Sequence, residues 1–291
     1  MSERGRAAGW VVLAYGVGCA AAFGAGAFTS GGPIMRALAG DLAATCVVFG
    51  FSVAFDNSSF YDPYWSVAPP LIGGYWWWQA GATASLRTFA TLALVTAWSV
   101  RLTYNWARGW RGLSHEDWRY VDIRAGSGRA YWLASFGGIH LFPTAMVFLG
   151  CLALYPAVTS REHAFGPLDL FASTLTAAAI AVEAVADRQL HRFCATKSAD
   201  AIMDRGLWAY SRHPNYFGEV AFWWGLFAFA TAAQPSSWWH AVGATAITVM
   251  FVFVSIPMME RRSIARRPAY RAYQLAVSRL VPWFPRRDQV H

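Results

Sequence analysis

What most limits this chain is the length of its apolar runs. Segments at roughly 10–28, 40–56, 86–106, 131–155, 168–186, 217–233 and 237–259 are long enough to cross, or nearly cross, a bilayer, and a shorter one lies at roughly 66–80. In lipid each backbone N–H and C=O must be satisfied within the protein, so runs of this length form helices. The expected fold is all-α, a polytopic integral membrane helical bundle of seven or eight transmembrane helices. With 56% of 291 residues hydrophobic and 14% charged, an ordinary soluble globule is excluded. No internal repeat or low-complexity tract interrupts the pattern, and a single domain over residues 1–291 is expected.

Charge orients the bundle. Counted with eight spans, the N-terminus, the loops near 57–65, 107–130 and 187–216, and the C-terminal tail share one side, which holds twenty of the 24 Lys and Arg residues. Arg101 lies within a span, and Arg36, Arg87 and Arg161 lie on the other side. Such a bias places the rich side, with the C-terminus, in the cytosol. The net charge of +8 is therefore read as a membrane face, and nucleic acid is not an expected partner. Sixteen Trp, twelve Tyr and twenty Phe fit interfacial belts and a greasy ligand chamber alike. Cys19, Cys46, Cys151 and Cys194 stand far apart with no CxxC pair, so neither a disulfide nor a metal cluster is expected. The first apolar run lacks a small-residue cleavage site at the right distance and is expected to be retained. Its GVGCAA (Gly16–Ala21) formally fits a dinucleotide fingerprint, but it neither follows a strand nor begins a helix, so close helix packing is the reading.

Polar chemistry gathers at GLWAYSRHPNYFGE, Gly206–Glu219, where Tyr210, Arg212, His213, Asn215, Tyr216 and Glu219 meet the apolar run AFWWGLFAFA. Lipid rejects such groups unless they face a protein interior or a watery cavity. Pro214 suits the first turn of a helix, which puts Asn215 and Glu219 on one face with Tyr216 close by. A helix start flanked by Arg212 and His213 is an anion receptor. The competing reading, an arginine and aromatic belt, accounts for Arg212 and Tyr216 but not for Asn215 and Glu219. A second island, DNSSFYDPYWSVAPP from Asp56, reads either as a turn or as a site. On the next helix Arg101, Asn105 and Arg108 share a face at i, i+4, i+7. The following loop, with His115, Glu116, Asp117, Asp122 and four arginines, is either salt-bridged and ordered or simply solvated. Its histidine has no second histidine at ligand spacing, so no metal is expected.

The Arg-His-Pro-x-Tyr signature ahead of a late helix resembles the membrane superfamily of steroid 5-alpha-reductases, DUF1295 proteins, sterol C14 and C7 reductases and isoprenylcysteine methyltransferases. SRHPNYFGE looks most like the DUF1295 and 5-alpha-reductase branch, over about Asp56 to Pro285. That resemblance implies an NADPH-dependent reductase acting on the carbon-carbon double bond of a lipophilic enone such as a 3-oxo-4-ene steroid. It implies that Asp62, ahead of Ser66-Val67-Ala68-Pro69, donates to the carbonyl with Tyr61 or Tyr64 beside it, and that Trp65, Trp98 and Tyr104 line the substrate. Where 5-alpha-reductases carry Tyr-x-x-Arg, this chain reads Trp98-Ser-Val-Arg101, so the second hydroxyl falls to Tyr61, Tyr64 or Tyr104. Arg101 is either a cofactor contact or a structural partner of Glu183 or Asp62. Glu183 and Asp187, followed by Arg188-Gln189-Leu190, resemble the segment that holds ribose and phosphates. Glu260, Tyr270-x-x-Tyr273 and Arg279-x-x-Pro282 resemble the superfamily tail, with Tyr273 and Arg279 on the cofactor and Arg261, Arg262, Arg286 and Arg287 on lipid. The cofactor's phosphates fall by this reading on Arg101, Arg108, Arg188 and Arg212, and its nicotinamide near Asn215 and Glu219. A monomer in a bacterial inner membrane, opening to the cytosol, is expected. The alternatives are an S-adenosylmethionine-dependent methyltransferase and a non-enzymatic lipid or sterol binder.

Overall fold

The computed structural model describes residues 3–82, 84–196 and 201–286, apart from the Ser237 side chain. Among the described residues every regular element is helical. The chain divides into two compact units, Met1–Arg161 and Glu162–His291. The first holds α1 (Glu3–Phe28), α2 (Pro33–Ala54), α3 (Tyr64–Gln79), α4 (Leu86–Gly109), α5 (Trp118–Cys151) and the short α6 (Leu154–Thr159). The second holds α7 (Pro167–Thr196), α8 (Pro214–Ala233), α9 (Trp238–Arg266) and α10 (Tyr270–Ala276). By length and composition α1, α2, α5, α7 and α9 are each able to cross a membrane. The protein is an all-α membrane helical bundle. Helix α4 is long enough at 24 residues but carries Arg87, Arg101 and Arg108, and α3 has only 16 residues.

Small residues set the helix pairs. A Cβ on Gly40 of α2 would lie 2.9 Å from the Ala22 carbonyl oxygen of α1, and Gly18 faces Ala44 at 3.6 Å. The fingerprint-like GVGCAA thus serves helix packing. In the second unit a Cβ on Gly218 of α8 would lie 2.4 Å from Glu183 Cγ and 2.9 Å from the Ala179 carbonyl oxygen of α7. Gly225, two turns on, would strike Thr176. This glycine seam lets α7 and α8 lie against each other along their lengths, where van der Waals contact replaces the hydrophobic drive that lipid cannot supply.

Two helices widen by one residue per turn. The π segments Ser135–Leu141 in α5 and Phe251–Ser255 in α9 end just before Pro143 and Pro257. Proline removes an N–H donor and its ring crowds the preceding turn, so the turn opens. Side chains then occupy the loosened carbonyls: His140 Nδ1 donates to Ser135 O at 3.0 Å, and Arg279 Nη2 donates to Val252 O.

Candidate functional site

The island at Asp56 is neither a bare turn nor a solvated loop. Asn57 caps the short 3-10 turn Ser58–Tyr61 by accepting from Ser59 N at 2.8 Å, while its Nδ2 donates to Leu113 O at 2.8 Å and His115 O at 3.2 Å. Arg124 bridges Asp56 at 2.8 Å and Glu116 at 3.4 Å, and lies 3.8 Å from the Tyr131 ring centroid. Glu116 in turn accepts from Ser58 N at 2.7 Å and Tyr131 Oη at 3.1 Å. The loop of mixed charge is therefore ordered, and it clamps the island from Leu113 to Arg124.

At the centre of the clamp is Asp62. Its Oδ1 accepts from Tyr120 Oη at 2.7 Å, and Asp117 N donates to the neighbouring Ser59 hydroxyl at 3.1 Å. Burial among aromatic rings pushes the Asp62 carboxyl up to about 6, while the Tyr120 hydrogen bond and the nearby Arg119 pull it back. Arg119 is itself bound at 2.7 Å to Asp117. An acid in this state is shared between protonated and ionised forms near neutral pH, which suits a proton donor.

The tyrosines beside Asp62 are committed elsewhere. Tyr61 Oη pairs with Thr144 Oγ1 at 2.8 Å, and burial pushes its phenol up. Tyr64 donates to Asp41, at 2.9 Å to the carbonyl and 2.7 Å to Oδ1. The hydroxyl on Asp62 is that of Tyr120, which the sequence reading missed because it lies 58 residues away on another helix. Asp41 was also missed, although a lone acid within an apolar run is a signal in itself. Trp98, fully buried, meets Trp65 edge to face at 6.4 Å, so these two candidates do come together. Tyr104 does not: it is exposed, with the Arg108 guanidinium 5.7 Å from its ring. Arg101 and Asn105 are partly buried on the same helix.

In the second unit the Arg-His-Pro-Asn corner is held by the tail. Arg212 and Glu260 are both 9% exposed; Arg212 Nε meets Glu260 Oε1 at 2.6 Å, and Nη1 donates to the Gln274 and Val277 carbonyls at 2.7 Å each. Gln274 Nε2 donates to Glu260 Oε2 at 2.8 Å. His213 also reaches Glu260 Oε1, at 3.2 Å; a carboxylate only accepts, so Nε2 carries the proton. Burial lowers the His213 pKa, with Glu260 opposing, which leaves a neutral ring stacked on Tyr216 at 5.4 Å and 8°. Tyr216 packs in turn on Phe251 in the π segment. Backbone links complete the clasp: Arg212 N to Ser278 O at 2.8 Å, Ser211 Oγ to Leu280 O at 2.7 Å and Trp283 N to Tyr210 O at 2.9 Å.

Tyr273 donates to the Trp208 carbonyl and packs with Tyr270, Ala276 and Val277 in a small core, and burial pushes both phenols up. Its ring is thus part of the clasp. Two other polar atoms stand apart. Among the described residues Asn215 Oδ1 is buried with no hydrogen-bond partner, and Arg279, held by Val252 through Nη2, has an Nε in the same condition. Glu219, 3% exposed, accepts from Trp223 Nε1 at 2.9 Å. Glu183 is 2% exposed against Gly218, Asp187 is half-buried, and Tyr210 is exposed with its ring against Phe284. Arg188, Arg261 and Arg286 are exposed and Arg262 is half-buried; Arg287 lies outside the described residues.

Comparison with known proteins agrees with this reading of the signature. A protein of Schizosaccharomyces pombe (strain 972 / ATCC 24843), described as uncharacterized protein C594.04c, is 28% identical over 269 residues, covering 84% of this chain and 77% of that protein. No solved structure matches. The profile described as "Protein of unknown function (DUF1295)" matches residues 48–277, from within α2 to just past α10, and the chain belongs to the DUF1295 family.

Proposed function

We propose that this protein is an NADPH-dependent reductase of the carbon-carbon double bond of a lipophilic enone, a 3-oxo-4-ene steroid being the type substrate suggested by the resemblance. The observation that carries the reading is Asp62: a carboxyl raised to about 6 among aromatics, hydrogen-bonded by Tyr120 and fixed by a clamp of arginines and acids. Its protonated form donates to a carbonyl oxygen, and Tyr120 steadies the carboxylate as enolate charge develops. NADPH supplies the hydride when bound.

The second unit offers groups that fit that cofactor. Asn215 Oδ1 is a buried acceptor for an N–H donor such as a carboxamide, and the adjacent Tyr216 is fixed by stacking on His213 and packing on Phe251. Arg212 has Nε and Nη1 committed to the clasp, so Nη2 is what remains to meet a phosphate oxygen, and Arg279 Nε is a second buried donor without a partner among the described residues. The clasp holds these groups in place before any ligand arrives.

The test is identification of the nucleotide that co-purifies in mild detergent, by mass spectrometry, followed by turnover of a steroid enone. NADP with turnover supports the reading. An S-adenosyl compound would make the protein a methyltransferase, and no nucleotide with no thermal shift from NADPH would make it a binder. Asn215→Ala, Glu219→Gln and Asp62→Asn should each abolish turnover in folded protein.

A further inference from the structure

The first unit contains a cavity of about 590 Å³ between α1, α2 and α3, and Asp62 does not line it. That volume lies within the roughly 300–1,000 Å³ range of ligand chambers. Its walls are mostly small or apolar, with Gly18, Ala22 and Gly26 on α1, Ala44 on α2 and Leu71 on α3. Arg36 and Val48 both line it, and α2 rises about 18 Å between them, enough to accompany a fused-ring body or a long chain.

One acid faces this apolar space. Asp41 is 6% exposed, and Tyr64, also on the wall, donates to its Oδ1 at 2.7 Å. Among the described residues no hydrogen bond reaches Asp41 Oδ2, and Asp41 is part of the cavity lining. Tyr15, on the same wall, gives its proton to the Phe60 carbonyl at 3.0 Å. Because the Tyr64 proton points at Asp41, the oxygens left over, Asp41 Oδ2 and the Tyr64 lone pairs, are acceptors. A ligand satisfying them brings an O–H donor on an otherwise apolar body. A ketone brings a second acceptor; a fatty acid brings a charge like that of Asp41, and its carboxylate would be met only at Arg36, further along the wall, whose Nε is buried without a hydrogen-bond partner among the described residues.

We propose that this cavity binds a lipid alcohol, its hydroxyl donating to Asp41 Oδ2 and its hydrocarbon body lying along α2 between α1 and α3. A sterol and a straight-chain alcohol share this chemistry. The site stands independently of the reductase reading, since it uses neither Asp62 nor any residue of the second unit.

The test is equilibrium binding of radiolabelled probes to the full chain in nanodiscs: a 3-hydroxysterol against its 3-ketone, and hexadecanol against hexadecane. At least one alcohol should bind about tenfold or more tightly than its matched control, the worth of a hydrogen bond made to a charged group. The preferred alcohol identifies the body. Asp41→Asn keeps an acceptor for Tyr64 and turns the other oxygen into an N–H donor, so the sterol preference should shift toward the ketone. Ala27→Trp, at an exposed edge of the wall, should weaken every probe and needs no change at Asp41. Ketone and alkane binding as tightly as the alcohols in the unaltered protein would overturn the proposal, as would hexadecanoate binding more tightly than hexadecanol through Arg36, or an alcohol preference unchanged in Asp41→Asn.

Discussion

Removing the Glu260 carboxylate tests how the signature is held. Arg212 and Glu260 have side-chain exposures of 10% and 11% and meet at 2.6 Å, so Glu260→Ala leaves a guanidinium buried without its counter-ion. Breaking one side of a buried pair costs about 3–5 kcal/mol. Here the Gln274 and Val277 carbonyls still accept from Nη1, which puts the loss near the lower end, about 3 kcal/mol. Glu260→Gln costs less, because one oxygen still accepts from Arg212, but its new amide meets the Gln274 Nε2 donor. The double variant Arg212→Met with Glu260→Leu removes both charges and should recover most of the stability, since a packed apolar pair replaces a buried ion pair at little cost. The assay is unfolding in detergent followed by tryptophan emission, with Trp208, buried in the clasp, as the reporter. A Glu260→Ala loss below about 1 kcal/mol, or a double variant no better than the single, would refute the idea that this pair locks the signature.

Three further outcomes are expected. Gly218→Ala should destabilise by about 1–2 kcal/mol, because overpacking against Glu183 and the Ala179 carbonyl outweighs the gain in helix propensity, and Glu183→Ala in the same chain should relieve part of it; thermal unfolding of the double-mutant set checks this. Tyr273→Phe should cost about 0.5–1.5 kcal/mol and speed proteolysis of the tail, as seen by gel after brief trypsin treatment. The raised Asp62 carboxyl binds its proton more tightly in the folded state, so its stabilising contribution is complete below the ordinary value of about 4 and is lost as pH rises through about 6. Unfolding midpoints measured across that window should therefore fall relative to Asp62→Asn as pH increases, and parallel curves would remove the shift.

The helices were legible because lipid-length apolar runs leave one backbone solution: the expected spans at 86–106 and 168–186 lie within α4 and α7. The signature was legible for a related reason, since charge so near an apolar run demands an explanation. What pairs with what was not legible. Tyr120 and Asp62 are 58 residues apart, Arg212 and Glu260 48, and spacing along a chain carries no information about contacts between helices. The tail tyrosines illustrate the same limit: spacing alone does not reveal that the Tyr270 and Tyr273 rings pack in a small core with Ala276 and Val277.

The π segment of α9 has a bearing on the angular phase of everything after it. One added residue turns a helix by about 100°, so Glu260, five positions past Ser255, points where it does only because of that insertion. Shortening Phe251–Ser255 by a single residue would restore ordinary winding and swing the carboxylate a quarter-turn or more from Arg212, unfastening the corner without altering any residue that touches it.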